Sequence, residues 1–191
     1  MNNSFLLGKI INNKKIDNNI NQVILVNKDK LFFYNKENRE WKKVLETDCE
    51  YGKNGYAVER KEGDCTTPIG TFKLLYAFGT EDNPGTQMEY KKILETSYYS
   101  DDIDKPSEYN TWIESNKEIR GEHLIEYPLE YHYGIVIGFN VEPVIVGKGS
   151  SIFLHCKGKK GYTAGCIAVD ENKMLIILKQ LKPGAYIVII P

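Results

Sequence analysis

The sequence lacks any apolar run long enough to cross a bilayer, for which a helix needs roughly 20 consecutive apolar residues. It lacks a secretory signal: in "MNNSFLLGKIINNKKIDNNINQ", Phe5-Leu6-Leu7 is too short for the apolar region of one, and no small-residue cleavage site follows. Three explanations stay open: the protein remains inside the cell, it leaves by another route, or an export segment is missing from the chain. Net charge is nearly absent, at -1 from 25 Lys+Arg against 26 Asp+Glu, which gives no electrostatic footprint for nucleic acid or an anionic membrane. Cysteine is sparse, with four residues at positions 49, 65, 156 and 166 and no Cys-x-x-Cys pair. A chain of this length needs no disulfide framework, although one bridge is possible. If one cysteine is a nucleophile, the other three cannot all be paired. Neither an internal repeat nor an interdomain linker is visible.

What is present fits one domain of 191 residues, with 41% hydrophobic and 27% charged residues, both ordinary for a globular chain. The aromatic share is 12%, including 13 Tyr, and such residues pack well on pleated surfaces. Residues 1–21, rich in Asn and Lys, read as a lead-in or arm, and residues 22–191 as the domain. Strands are expected at "QVILVN" (22–27), in a hairpin with "KDKLFFYN" (28–35), in "REWKKVLETDCEYG" (39–52), after the turn in "GDCTTPIGTFKLLYAFG" (63–79), and at "YHYGIVIGFN" (131–140), "SSIFLHC" (150–156) and "AYIVII" (185–190). One helix is expected over 170–181, capped by Asp170, with Met174, Ile177, Leu178 and Leu181 at helical spacing. Residues 85–128 read as a long irregular, aromatic-rich connection, a length that in a compact domain points to function or disorder. The fold class is mainly β, with one helix near the end.

The chemistry concentrates in "SIFLHCKGKKGYTAGCIAVD" (151–170). His155 ends an apolar strand, and a Gly/Lys loop returns the chain to Gly165-Cys166, eleven positions after the His. An imidazole within reach converts a thiol to the reactive thiolate and later returns the proton to a leaving amine. Gly165 lets a substrate approach the sulfur and frees backbone N–H groups for an oxyanion. Lys157, Lys159 and Lys160 make the rim positive, which suits a carboxylate-bearing substrate. A buried, inert cysteine is the competing interpretation, and spacing alone leaves the two level. Zinc is weaker: Cys156, Cys166 and His155 are three possible ligands, but without the usual spacings.

Several motifs together carry a resemblance. "IFLHC…YTAGCIAVD" resembles the catalytic motif of the L,D-transpeptidases of the YkuD type, in which a His ends one strand and Ser/Thr-x-Gly-Cys follows. "EGDCTTPIGTF" (62–72) is similar to the family's Gly-Asp-x-x-Thr-Pro-x-Gly strand entry, "GSSIFLHC" to its Gly-Ser-x-Ile-Phe-x-His strand, and "YGIVIGFN" to its core strand ending in Asn. The resemblance covers about residues 20 to 191. It implies a YkuD-like β-rich catalytic domain in which a cysteine attacks the carbonyl of the third residue of a peptidoglycan stem tetrapeptide. The terminal D-Ala leaves, and an amine from a neighbouring stem resolves the thioacyl-enzyme into a 3→3 cross-link. Water as acceptor would make the site an L,D-carboxypeptidase. A wall-targeting effector and a non-catalytic peptidoglycan-binding domain are further alternatives.

Carried over, Cys166 is the nucleophile, His155 the base and later acid, and the main-chain carbonyl of Cys156 orients the imidazole. Gly165 and the Cys166 amide are oxyanion-hole candidates, and Thr163 matches the Ser/Thr of the motif. Thr163, Ala164 and Tyr162 are expected to contact substrate. The family's usual second His is Ala164 here, and its frequent Asn or Arg after the Cys is Ala168. Within the irregular stretch, His123 is a candidate replacement for the missing polar groups, with a surface His as the alternative. The resemblance implies no metal and no organic cofactor. It implies peptidoglycan stem peptides as partners, no nucleic acid, no membrane span, and an extracytoplasmic place of action.

Overall fold

The computed structural model describes residues 20–191. The expected lead-in at residues 1–21 lies outside them except for its last two residues. Among the described residues the chain builds one large sheet. It begins with β1 (Gln22–Asn27), β2 (Lys30–Glu37) and β3 (Glu40–Asp48), a meander joined by two-residue turns. Asn38 and Arg39 both adopt positive φ, at 49° and 69°, the geometry that matches a tight hairpin to strand twist. β1 reads as an unbroken apolar run because both of its faces are covered. Ile24 and Val26 enter one core, while Val23 and Leu25 enter another with Phe32, Tyr34 and Val188.

The short strands β4 (Tyr56–Ala57) and β5 (Thr67–Pro68) pair in parallel ahead of β6 (Gly70–Gly79). The expected irregular stretch at 85–128 carries four short strands: β7 (Tyr90–Lys92), β8 (Ser97–Ser100), β9 (Trp112–Glu114) and β10 (Gly121–His123), then a single 3-10 turn at Leu124–Glu126. β7 pairs with β6, and β10-β8-β9 form a separate sheet. These strands are only three or four residues long, too short to show an alternating pattern. Aromatic packing fixes them, as where Tyr99 meets the Phe153 ring edge-on at 4.9 Å.

The chain closes with β11 (Gly134–Ile137), β12 (Phe153–Cys156), β13 (Ile167–Val169), α1 (Glu171–Gln180) and β14 (Tyr186–Ile190). The large sheet has the order β13-β12-β11-β6-β14-β1-β2-β3. α1 packs over one face of it through Met174, Ile177 and Leu178, all fully buried. Asp170 precedes this helix, but its side chain makes no capping hydrogen bond; it pairs with Lys157 at 3.2 Å instead. Its carbonyl accepts the amides of Lys173 and Met174.

Beyond the opposite face of β6, β11 and β12 lies an aromatic cluster of Phe78, Tyr99, Tyr131 and Phe153, with Val136 and Cys166. Phe153 meets Phe78, Tyr99 and Tyr131 edge-on, at 5.1, 4.9 and 5.7 Å. Removing its ring takes the centre out of this cluster. Phe153→Ala should lower unfolding free energy by about 3–5 kcal/mol, the usual cost of deleting a buried aromatic ring. Urea denaturation checks this, and a loss below about 1 kcal/mol would contradict the central place given to the ring.

Candidate active site

β12 and β13 run parallel, with Leu154 level with Ile167 and His155 level with Ala168. The chain therefore makes a complete loop over residues 157–166 and re-enters beside β12 in the same direction, not as a hairpin return. That loop is anchored on residues 50–53: the Thr163 amide donates to the Tyr51 carbonyl, and the Lys53 amide donates to the Thr163 carbonyl. Side chains alternate along a strand. Phe153 and His155 point to the aromatic face, where Cys166 also lies, and Leu154 and Cys156 point to the core under α1. The two cysteines are thus separated by the sheet. The Cys156 thiol donates to the Tyr133 carbonyl at 3.6 Å. All four cysteines are free.

His155 is buried, and its Nδ1 lies 2.7 Å from the Cys156 carbonyl oxygen. A carbonyl only accepts, so Nδ1 carries the proton and the Nε2 lone pair is left for chemistry. The Tyr131 ring stands edge-on to the imidazole at 5.5 Å. Burial lowers the imidazole's pKa; the Cys156 carbonyl and the charge of Glu130 oppose that shift. The ring is therefore neutral near pH 7 and able to take a proton.

The Cys166 thiol is also buried. It donates to the Ser151 carbonyl at 3.2 Å, and the Phe153 amide donates to its sulfur at 3.3 Å. Burial pushes the thiol up to about 12, with the Glu122 charge adding to the shift; the Phe153 amide and the Arg60 charge act against it. At rest the pair is thus a neutral thiol and a neutral imidazole, with the sulfur's hydrogen bonds going to backbone and not to His155.

The turn that carries Cys166 is held by side chains on both sides. Thr163 Oγ1 donates to the Cys166 carbonyl at 2.7 Å and accepts the Gly165 amide at 3.1 Å. This changes the expected part of Gly165: its N–H is committed to Thr163 and is not free for an oxyanion. Gly165 is required for shape instead. Its φ is +145°, and a Cβ there would lie 2.8 Å from the Thr66 carbonyl oxygen and 3.1 Å from an Arg60 nitrogen. Thr67, fully buried, donates to the Gly165 carbonyl at 2.9 Å and accepts the Gly52 amide at 2.8 Å. Asp64 braces that segment by accepting from the Thr66 amide and hydroxyl and from Arg60. "GDCTTPIG" is therefore more than a strand entry. It also reaches across 98 residues to fix the turn before Cys166. Arg60 carried no signal of its own in the sequence beyond its place four residues before Asp64.

A cleft of about 400 Å³ opens here, and Cys166, His155, Thr163, Ala164 and Tyr162 all line it. His123 is not among its walls. It stacks on Tyr98 with 4.3 Å between rings, and its Nε2 lies 2.7 Å from the Glu95 carbonyl oxygen. Its neighbour Glu122 faces the cleft, since alternation along β10 sends adjacent side chains to opposite faces. Burial pushes the Glu122 carboxyl up to about 7; the Tyr131 hydroxyl, which donates to it, pulls the other way, and the charges of Asp101 and Glu62 add to the rise. Glu122 lies in the irregular stretch, and Tyr131 opens the segment expected as a core strand, so no motif singled out either as a site residue. Among the described residues no group of three or more His, Cys, Asp or Glu is placed to hold a metal ion.

The chain belongs to the YkuD family, whose model, described as the L,D-transpeptidase catalytic domain, matches residues 21–190. Two solved structures share the fold. One is Bd1075 of Bdellovibrio bacteriovorus, at 18% identity and a TM-score of 0.51, covering 89% of this chain and 48% of that one. The other is the helical cell shape determining protein Pgp2 from Campylobacter jejuni, at 16% identity and a TM-score of 0.51, covering 97% of this chain and 54% of that one. The chain thus spans about half the length of each. No curated protein matches.

Two expectations follow from the geometry. Burial disfavours the Cys166 thiolate, so iodoacetamide labelling of Cys166 should accelerate with pH throughout the range from about 7 to 10, where a free cysteine of pKa about 8.5 would begin to level off. Peptide mapping by mass spectrometry reads this, and a plateau near neutrality would show a thiolate–imidazolium pair instead. Cys156→Ser should leave turnover unchanged and cost no more than about 1–2 kcal/mol of stability, because its hydroxyl can still reach the Tyr133 carbonyl. A large loss of activity at normal stability would contradict the separation of the two thiols.

Proposed function

We propose that this protein is a peptidoglycan L,D-transpeptidase with Cys166 as nucleophile and His155 as base and acid. One observation carries the reading: on a chain of the YkuD family, an imidazole whose Nδ1 is held by the Cys156 carbonyl opens onto the same cleft as a cysteine. Substrate entry displaces the resting hydrogen bond of the thiol. Nε2 takes the proton, and the sulfur attacks the carbonyl carbon of the third stem residue. The oxyanion faces the Cys166 amide, since the Gly165 amide is bonded to Thr163. Collapse breaks the amide bond, and the D-Ala amine leaves with the proton held by His155. A thioester remains. An acceptor amine attacks it, gives its extra proton to His155, and forms the 3→3 link as the sulfur leaves and is reprotonated. Tyr162, Ala164 and the cleft-facing Thr163 lie along the path of the stem. Such a substrate lies outside the cytoplasmic membrane, so the chain is expected to act there. Among the described residues no helix is long and apolar enough to cross a membrane.

With water in place of the amine, the same thioester would make the protein an L,D-carboxypeptidase. The resting state favours one further reading, a peptidoglycan-binding domain without turnover, because the thiol is protonated and bonded to Ser151. Incubation with disaccharide-tetrapeptides, followed by mass spectrometry of the products, separates all three. The transpeptidase gives cross-linked dimers, the carboxypeptidase gives only tripeptides, and the binding domain leaves the substrate intact. Cys166→Ala should abolish turnover. His155→Ala should lower it by about 10²–10⁴-fold, the usual contribution of a positioned acid–base group, while leaving slow acylation by residual thiolate. Full activity in either variant would contradict the assigned roles.

A further inference from the structure

We infer that Glu122 is a specificity-determining residue that receives an ammonium group of the acyl donor beside the scissile carbonyl. The inference rests on the transpeptidase reading and assigns the side chain that recognises the third-residue amine which a 3→3 link requires. Glu122 stands on β10 opposite Tyr99, on the side that closes over the aromatic cluster containing Cys166. It lines the cleft together with His155 and Cys166. One of its carboxyl oxygens, Oε2, accepts the hydroxyl of the buried Tyr131. Tyr131 in turn packs against the His155 ring, which ties the carboxyl's position to the catalytic imidazole.

Among the described residues, the other oxygen, Oε1, has no hydrogen-bond partner and no Lys or Arg forms an ion pair with Glu122. The nearby basic residue Arg120 is turned to Asp101, Asp102 and Asp104. Asp101 and Glu62 add negative potential at Glu122. An ionised carboxyl taken partly out of water with no cation beside it is unfavourable, so Glu122 is drawn to hold a proton until a ligand supplies the positive charge. A primary ammonium fits: it offers three donors, one for Oε1, and its charge restores the ionised form of the carboxyl. A neutral amide or a carboxylate in that place would meet the same negative field with no compensating charge.

The test compares two tetrapeptide donors on the full chain. One carries a free side-chain amine on the third residue, and the other is identical but acetylated on that amine. D-Ala release and thioacyl formation on Cys166 are followed by mass spectrometry. Wild type should favour the free amine by about tenfold in kcat/KM, equivalent to about 1.4 kcal/mol. Glu122→Gln should bring the two donors to near equality in kcat/KM, whatever its effect on the rate they share, and an unchanged urea midpoint reports that the variant is folded. Equal use of both donors by the wild type, or an undiminished preference in Glu122→Gln, would overturn the inference alone. Acylation by neither donor, in wild type that iodoacetamide still labels at Cys166, would instead overturn the transpeptidase reading.

Discussion

The site depends on the parallel pairing of β12 with β13. That register sets Cys166 beside Phe153 and leaves His155 further along β12 on the same face. A shift of one residue would send His155 to the core under α1 and bring Cys156 to the cleft. Two features oppose such a slip. The Phe153 ring is locked among three aromatic neighbours, and the loop before Cys166 is fastened to residues 50–53 and to Thr67. The aromatic cluster and the Thr67 hydroxyl lie far apart in sequence, yet both fix where one sulfur stands.

This arrangement gives a site at rest that is electrically quiet. Burial disfavours both charged forms, thiolate and imidazolium. On the proposed mechanism, activation coincides with substrate entry, when the thiol gives up its bond to the Ser151 carbonyl and the proton passes to His155. A buried neutral thiol is also protected from casual oxidation, which follows thiolate character. Arg60 contributes from behind the turn. It is ion-paired with Asp64 at 3.1 Å, and its charge partly offsets the penalty on the thiolate.

Strong local patterns were legible in the sequence. The apolar run of β1, the helical spacing of Met174, Ile177 and Leu178, and the "LHC…TAGC" segment all point to what the structure contains. The parallel sense of β12 and β13 was not legible, because a ten-residue loop reads equally as a hairpin return. The three-stranded sheet of β8, β9 and β10 was hidden by strands too short to alternate. It is held by Tyr99 and Trp112 meeting partners more than thirty residues away in the chain. His123 drew attention because histidine is rare in this chain, with three in all, yet the strand's alternation turns it away from the cleft and turns Glu122 in. The oxyanion assignment to Gly165 missed the competing acceptor two residues earlier, Thr163 Oγ1. Such errors arise because spacing fixes proximity along the chain and leaves the direction of a side chain to the register.

The central claim is that Cys166, deprotonated by His155, forms the acyl bond. Acid quenching of a reaction with a tetrapeptide donor, followed by intact-mass measurement and peptide mapping, tests it directly. The account predicts a single acyl adduct on Cys166, equal to the donor less D-Ala, that is absent in Cys166→Ala. Release of D-Ala with no adduct on Cys166, or with the acyl group on Cys65 at the edge of the same cleft, would contradict it.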